Sequence, residues 1–142
     1  LHVALLEQRE RPFVGAAGQK LTEIIEKGMK LGRQDVYILN TIKCRPPDNR
    51  VPTADEAANC REYLDAQLEV LKPEFICCLG ATAAQNLLGT TESIGRLRGK
   101  FFDYKGIRVL CTYHPSYVLR SPEIARPLVW ADIQLLMREM GL

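Results

Sequence analysis

The fold of this chain is decided by the stretch Phe75-Ile76-Cys77-Cys78-Leu79-Gly80-Ala81-Thr82-Ala83-Ala84. Its first five residues are apolar without interruption, a pattern typical of a strand that is buried on both faces of a sheet. The glycine ends this strand, and the small residues after it predict a helix that packs closely against the sheet. A buried strand that turns directly into a helix indicates an α/β fold.

The rest of the chain repeats this alternation of short apolar runs and helical periodicity. Thr53 and Glu56 form a capping box that opens one of the helices. Strands separated by helices predict a mostly parallel sheet covered on both faces, in a single domain over residues 1–142. The predicted strands span residues 1–6, 36–39, 75–79, 96–104 and 107–112, and the predicted helices span residues 20–31, 53–71, 80–84 and 124–140. The predicted inner face of the last helix carries Trp130, Ile133 and Leu136.

Composition limits the class of protein more than its function. The chain has 142 residues, of which 46% are hydrophobic and 25% are charged, as in ordinary globular domains. A formal net charge of +2 permits a polyanionic partner without requiring one. Because there is no long apolar run and no signal-peptide pattern, we expect a cytoplasmic protein without a membrane partner.

The five cysteines fall into two groups. Without a secretion signal their thiols are expected to be reduced, so core packing or metal ligation must account for them. Cys77, Cys78 and Cys111 lie in apolar strands, where cysteine behaves as a small buried hydrophobic residue. Cys44 and Cys60 lie in polar surroundings instead.

His114, one of only two histidines, follows the apolar run 107–111 and precedes Pro115, which restricts it to an extended backbone. A histidine at a strand end can donate a hydrogen bond to an oxygen that gains negative charge during bond cleavage. Since ligands of such sheets bind beyond the carboxyl ends of the strands, Asn40, the turn after Leu79 and His114 are predicted to meet at one edge. The alternative is a histidine in an ordinary surface loop.

Three ordered motifs carry a resemblance to a known family. They are Arg11-Pro12-Phe13-Val14-Gly15-Ala16-Ala17-Gly18, then Tyr37-Ile38-Leu39-Asn40-Thr41-Ile42-Lys43-Cys44-Arg45-Pro46-Pro47-Asp48-Asn49-Arg50, then His114-Pro115-Ser116-Tyr117-Val118-Leu119-Arg120. Together with Leu79-Gly80 and Arg98-Gly99, they closely resemble the family 4 uracil-DNA glycosylases, the iron-sulfur branch of that superfamily. The resemblance implies an α/β three-layer sandwich around a central, mostly parallel four-stranded sheet.

The family flips uracil out of DNA and hydrolyses its bond to the sugar, leaving an abasic site for base excision repair. Phe13 matches the aromatic residue that stacks on the flipped base. Asn40 matches the residue that recognises uracil, since an amide offers a donor and an acceptor together. His114 matches the residue that stabilises negative charge on the departing base. The ordinary alternatives are a core phenylalanine and a turn asparagine.

DNA contacts are predicted from two segments. Ser116 and Arg120 match the DNA-contacting loop of the family, and Val118 or Leu119 between them could help to hold the gap left by the flipped base. Arg98 and Lys100, with Arg96, form a basic cluster beside a glycine and are further candidates for phosphate contacts.

The chain departs from the family in two places. Cys44 and Cys60 match two of the four thiolates that hold the family's [4Fe-4S] cluster, whereas the other two lie upstream of its first strand. The loop that positions the attacking water in the family is also missing between the first strand and Arg11. Glu7 and Glu10 are the nearby carboxylates, but neither lies in the family's context, so no water-activating residue is assigned.

Three functions remain open from the sequence. The first is a uracil-DNA glycosylase that acts on uracil-containing DNA, expected as a monomer. The second is a non-catalytic or truncated DNA-binding relative that retains the pocket but has lost the water-positioning segment. The third is an α/β domain that binds a nucleotide or another small molecule, although no glycine-rich phosphate loop follows the first strand.

Overall fold

The computed structural model describes residues 3–7, 15–32, 35–40 and 54–141. The strands in this part of the chain are β1 (Val3–Glu7), β2 (Val36–Asn40), β3 (Phe75–Leu79), β4 (Phe101–Tyr104) and β5 (Ile107–Thr112). The helices are α1 (Gly15–Glu23), which continues as a π-helical segment over Ile24–Gly28, α2 (Ala54–Leu71), α3 (Ala81–Leu88), α4 (Ile94–Leu97), α5 (Pro115–Arg120) and α6 (Pro122–Met140). None of these helices is both long and apolar enough to cross a membrane.

The strands form one mixed sheet in the order β2-β1-β3-β5-β4. The first four are parallel, and β4 pairs antiparallel with β5 at the edge. The predicted α/β class and mostly parallel sheet are therefore confirmed, but the described sheet has five strands rather than four. Four strands were implied by the resemblance, whereas the apolar runs predicted both strands of the hairpin. Lys105 and Gly106 between these strands take positive φ angles, 49° and 87°, which suits a tight turn.

Strand β4 is shorter than predicted. Residues 96–104 were predicted to be one strand, yet Arg96 and Leu97 belong to α4, and the strand begins only at Phe101. Leu97 is buried, so this helical turn closes over the core before the chain enters the sheet. Tyr104 at the other end of β4 donates a hydrogen bond to Asp65 of α2, which attaches the hairpin to that helix.

Helices cover both faces of the sheet and divide the core into two layers. Leu5, Cys77 and Leu110 face α1, α5 and α6 on one side. Leu6, Cys78 and Cys111, each one residue further along its strand, face α2, α3 and α4 on the other side. This alternation explains why the central residues of the parallel strands are mostly apolar, because both faces of the sheet are covered by helices.

The last helix uses a different apolar stripe from the one predicted. Val129, Ile133, Leu136 and Met140 are buried at spacings of three and four residues, which is one face of an α-helix. Ile133 and Leu136 were predicted correctly, but Trp130 is 47% exposed. It lies about 100° around the helix from Val129, at the margin of the buried face, where its ring approaches Gly28 of the π-helical segment.

Three cysteines are part of this core, as predicted from their apolar strands. Cys77, Cys78 and Cys111 are free thiols and fully buried. Burial raises the pKa of the Cys77 thiol well above its ordinary value. A hydrogen bond with Cys111, its partner on the neighbouring strand, and burial both raise the pKa of Cys78. The thiols of Cys77 and Cys78 therefore stay protonated, and all three cysteines act as packing residues.

Replacing Ile133 by alanine tests the packing of α6 on the sheet. Its side chain is 1% exposed, so the substitution removes buried methyl groups and leaves a cavity that we expect to cost about 2 to 5 kcal/mol of unfolding free energy. Urea denaturation measures the loss. Val70→Ala, at a position that is 82% exposed, is the matched control and is expected to change stability by less than about 0.5 kcal/mol. Equal losses in the two variants would contradict the arrangement of the core.

Alkylation of the native protein tests the burial of the three core thiols. Iodoacetamide reacts with accessible thiolates, so we expect Cys77, Cys78 and Cys111 to remain unlabelled in the folded protein and to be labelled fully in urea. Peptide mass spectrometry reports each position separately. Rapid native labelling of any one of the three would show that its strand is not buried as described.

Candidate active site

The carboxyl ends of the parallel strands lie in one row across the sheet. Glu7 at the end of β1 pairs with Asn40 at the end of β2, and Leu79 at the end of β3 pairs with Thr112 at the end of β5. Leu6 pairs with Cys78, so the two pairs stand level with each other. Asn40 and Thr112 are thus three strand spacings apart, about 14 Å. The sheet edge between them is the floor of the candidate site.

His114 stands two residues beyond this row. Its φ and ψ angles of −67° and 145° are extended, as the following proline predicted. Residues 115–120, which match a loop in the family, instead form α5 directly after it. The helix can begin here because proline is well tolerated at the first helical position and because the His114 side chain serves as the N-cap.

Ser116 holds the imidazole of His114 from one side. Its backbone N–H donates to His114 Nδ1 at 3.1 Å, and its hydroxyl lies 2.9 Å from the same nitrogen. Because a backbone N–H can only donate, Nδ1 is the acceptor, and the neutral imidazole therefore carries its proton on Nε2. The arrangement presents an N–H donor on the side of the ring away from α5.

Gly80, at the turn between β3 and α3, lies against the same histidine. Its φ and ψ angles of 92° and 168° fall in a region that only glycine adopts without strain. A Cβ atom at this position would lie 3.3 Å from His114 Cβ. The Gly80 N–H also donates to the Thr112 carbonyl at 2.8 Å. The close approach of this turn to His114 therefore requires a glycine.

A partly buried ion pair lies next to the end of β5, two residues before His114. Asp132 of α6 is fully buried, and both of its carboxylate oxygens bind Arg98, with Nη2 at 2.7 Å from Oδ1 and Nε at 3.0 Å from Oδ2. The Thr112 hydroxyl donates to Oδ2 at 2.6 Å. Arg98 was predicted to contact DNA, and its guanidinium is instead engaged inside the protein. A DNA contact by Arg98 stays a prediction.

The other predicted DNA-contacting residues include two exposed cations, Lys100 and Arg120. Lys100 is exposed, and it immediately precedes β4, whose first residues lie beside the end of β5. Arg120 is exposed, with its guanidinium carbon 5.9 Å from the centre of the Tyr117 ring. Leu119 is 41% exposed, whereas Val118 is buried in the core. Of the two apolar candidates for filling a vacated base position, only Leu119 is accessible.

Several predicted site residues lie outside what the structure describes. Phe13 and Cys44 belong to the residues that are not described, and the same holds for Glu10. For Asn40 and Cys60 the backbone is placed in β2 and α2, whereas the side chains are outside the description. The structure therefore brings Asn40 to the edge that carries His114, as predicted, without showing how its amide points.

The cysteines that are described do not suit a [4Fe-4S] cluster. Cys77, Cys78 and Cys111 are buried in strands, and the thiol pKa values of Cys77 and Cys78 are raised, whereas a cluster needs thiolates that converge on one site. Across the described ranges there is no group of three or more His, Cys, Asp or Glu side chains that could hold a metal ion. The predicted ligands Cys44 and Cys60 lie outside this test.

Sequence reasoning missed Thr112 and Asp132, whereas the turn at Gly80 was predicted at the edge that carries His114 and lies there. One pattern could have revealed Asp132, because a carboxylate one residue before Ile133 lies on the apolar face of an amphipathic helix. A buried acid in that position needs a partner. The hydrogen-bonding role of Ser116 was also missed, since it depends on the helix that begins at Pro115.

Comparison with known proteins identifies the family. Residues 6–134 match the uracil DNA glycosylase superfamily. The type-4 uracil-DNA glycosylase of Thermotoga maritima is 48% identical over 129 residues, which is 87% of this chain and 66% of the relative. The type-4 uracil-DNA glycosylase of Archaeoglobus fulgidus is 44% identical over 121 residues, 80% of this chain and 60% of the relative. The chain thus spans somewhat less than two thirds of the length of these relatives.

The family match runs from the end of β1 through most of α6, and therefore covers the whole row of strand ends that forms the candidate site. The names of the relatives confirm the predicted resemblance to the type-4 branch. The chain belongs to the uracil DNA glycosylase superfamily.

Proposed function

We propose that this chain is a uracil-DNA glycosylase, which hydrolyses the bond between uracil and deoxyribose in DNA and thereby initiates base excision repair. The observation that carries the proposal is the Ser116 N–H on His114 Nδ1, because it places a donor proton on Nε2 of a histidine at the ligand-binding edge of the sheet. The names of the type-4 relatives support the same reaction.

The proposed role of His114 follows from where charge develops. When the bond from the sugar C1′ to the uracil N1 breaks, its electron pair leaves with the base, and negative charge spreads to the uracil O2. The Nε2–H of His114 donates a hydrogen bond to that oxygen and stabilises the departing anion. Water then supplies a hydroxyl to C1′, and its proton leaves to the solvent or to the base.

The base is proposed to sit between His114 and β2. Asn40 would read the uracil edge, because its side-chain amide complements a carbonyl and a ring N–H but not the amino group of cytosine. Phe13 would stack on the ring. The position of Asn40 at the end of β2, in the same row as Thr112, supports the first assignment.

The proposed DNA contacts use the two exposed cations. Lys100 and Arg120 would contact DNA phosphates. The Ser116 hydroxyl would contact a further phosphate while the Ser116 backbone N–H donates to His114 Nδ1. Leu119 is the accessible apolar side chain on α5 for the space that the flipped base vacates. The expected monomeric state and cytoplasmic location remain predictions.

No step of the proposed reaction passes through an iron-sulfur cluster or an assigned water-activating carboxylate. Cys44 and Cys60 remain predicted ligands of the [4Fe-4S] cluster that the resemblance implies. The role proposed for His114, a hydrogen bond to the departing uracil anion, requires neither of these groups. A non-catalytic DNA-binding relative, the alternative from the sequence, is not favoured by relatives that are named as glycosylases.

Cleavage of a labelled duplex with one uracil tests the function directly. The wild-type protein is expected to produce alkali-labile abasic sites, and His114→Ala is expected to lower the rate about 100-fold or more because it removes the donor to the uracil anion. Asn40→Ala is expected to lower the rate as well and to weaken the discrimination between uracil and cytosine.

Gln134→Ala is the matched control, since it removes an exposed side-chain amide on the outer face of α6. Its cleavage rate should equal that of the wild type. Wild-type protein that binds the duplex without cleaving it would overturn the proposal in favour of a non-catalytic relative.

The proposed phosphate contact of Lys100 predicts a change in salt dependence. Lys100→Ala should reduce the slope of log affinity against log salt by about 0.9, the value for one phosphate on duplex DNA. Binding is measured by fluorescence anisotropy in a His114→Ala background, so that uracil is retained. Lys72→Ala removes an equally exposed lysine before β3, at the opposite edge of the sheet, and should leave the slope unchanged. Identical slopes for all three proteins would remove Lys100 from the interface.

A further inference from the structure

We propose that Thr112 and Asp132 are positioning residues that aim the His114 imidazole from behind the site. The proposal rests on the glycosylase function proposed above and names the part of the fold that makes His114 effective. Neither residue faces the proposed base, and each acts through the backbone around His114.

The first step is the rigidity of the carboxylate. Asp132 is 0% exposed, and its two oxygens accept three hydrogen bonds, two from Arg98 and one from Thr112. A bidentate arginine allows a carboxylate little rotation, and a buried charge is costly to move away from its partner. The acceptor for the Thr112 hydroxyl therefore has a fixed position.

The second step is that this ion pair joins both layers of the sandwich. Asp132 belongs to α6 on one face of the sheet, whereas Arg98 directly follows α4, whose Leu97 packs in the core on the other face. Gly99 has a φ angle of 74°, and a Cβ atom there would lie 3.4 Å from Asp132 Oδ1. Arg98 and Gly99 thus lie close to Asp132. Through Asp132, the last residue of β5, Thr112, is linked to helices on both faces of the sheet.

The third step connects Thr112 with His114 by two routes. Along the chain only Tyr113 separates them, and its ring packs on Tyr117 of α5 with 4.7 Å between the ring centres. Across the sheet the Thr112 carbonyl accepts from the Gly80 N–H, and a Cβ atom added at Gly80 would lie 3.3 Å from His114 Cβ. A shift of Thr112 would move the backbone that carries His114 and also the turn that confines it.

Geometry of this kind affects rate more than binding. A misplacement of about 1 Å in a catalytic group can lower a rate about 100-fold while contacts that bind the substrate remain. A purely structural ion pair would behave differently, since its loss would lower stability while the folded fraction kept the full rate. The two roles therefore separate in the rate of bond cleavage by folded protein.

Thr112→Val tests the proposal with the least change in shape, because it removes only the hydroxyl and leaves the Asp132 pair with Arg98 in place. Thr112→Ser is the matched control that keeps the hydroxyl. Single-turnover cleavage of the uracil duplex is followed over a range of protein concentrations below the melting temperature. We expect the maximal rate of Thr112→Val to fall about tenfold or more with an unchanged half-saturating concentration, and Thr112→Ser to remain within about threefold of the wild type.

A second readout does not depend on activity. Proton-nitrogen correlation spectra of the histidine rings, with His114 assigned from the His114→Ala variant, report the surroundings of Nδ1 and Nε2. We expect the His114 signals to shift in Thr112→Val and to stay in place in Thr112→Ser. Asp132→Asn should shift them in the same direction as Thr112→Val, provided that circular dichroism shows a folded protein.

The outcomes separate the two proposals. Unchanged rates and unchanged His114 signals in Thr112→Val would overturn the positioning role. A wild-type protein that does not cleave uracil-containing DNA would overturn the proposed function, while the ring signals would still decide whether Thr112 sets the position of His114. Equal losses in the valine and serine variants would show that retaining the hydroxyl does not preserve the rate, and would also overturn the proposal.

Discussion

The pairing of β3 with β5, in the register that sets Leu79 beside Thr112, is the constraint on which the candidate site depends. It places the turn at Gly80 against the residue that follows β5, and the Gly80 N–H on the Thr112 carbonyl extends the pairing by one more hydrogen bond. A slip of one residue would turn the buried side chains of β5 to the opposite face. Because both faces are packed against helices, that slip is strongly disfavoured. The register of the sheet therefore fixes the position of His114, two residues after β5.

The ion pair of Arg98 with Asp132 is unusual for a core that is otherwise apolar. Removing the Asp132 carboxylate from water is costly, and well-packed apolar residues of the same volume are often as stabilising as a buried ion pair or more so. Such a pair is therefore weak support for stability but strong support for a defined geometry. The ion pair contacts Thr112, the last residue of β5. A defined geometry at Thr112 would help to position His114, which follows two residues later.

Much of the fold could be predicted because each of its parallel strands is a short and mostly apolar run. The cysteines of β3 and β5 were predicted correctly as core residues for the same reason. The errors lie where local pattern and tertiary packing compete. Residues 96–97 were predicted to be part of a strand but form a helical turn that buries Leu97. Residues 115–120 were expected to be a loop and form α5. Trp130 was expected on the buried face of α6 but lies at the margin of that face.

The sequence by itself determined the α/β class, the order of the elements and the presence of His114 and Asn40 at strand ends, because hydrophobic periodicity and strand termini are local properties of a chain. Its motifs also indicated the family. Only the tertiary structure decided that Ser116 places the proton of His114, that Arg98 turns inward to Asp132, and that Gly80 and Thr112 confine the histidine. Those contacts join residues up to 34 positions apart, and their partners are set by packing, which no local pattern encodes.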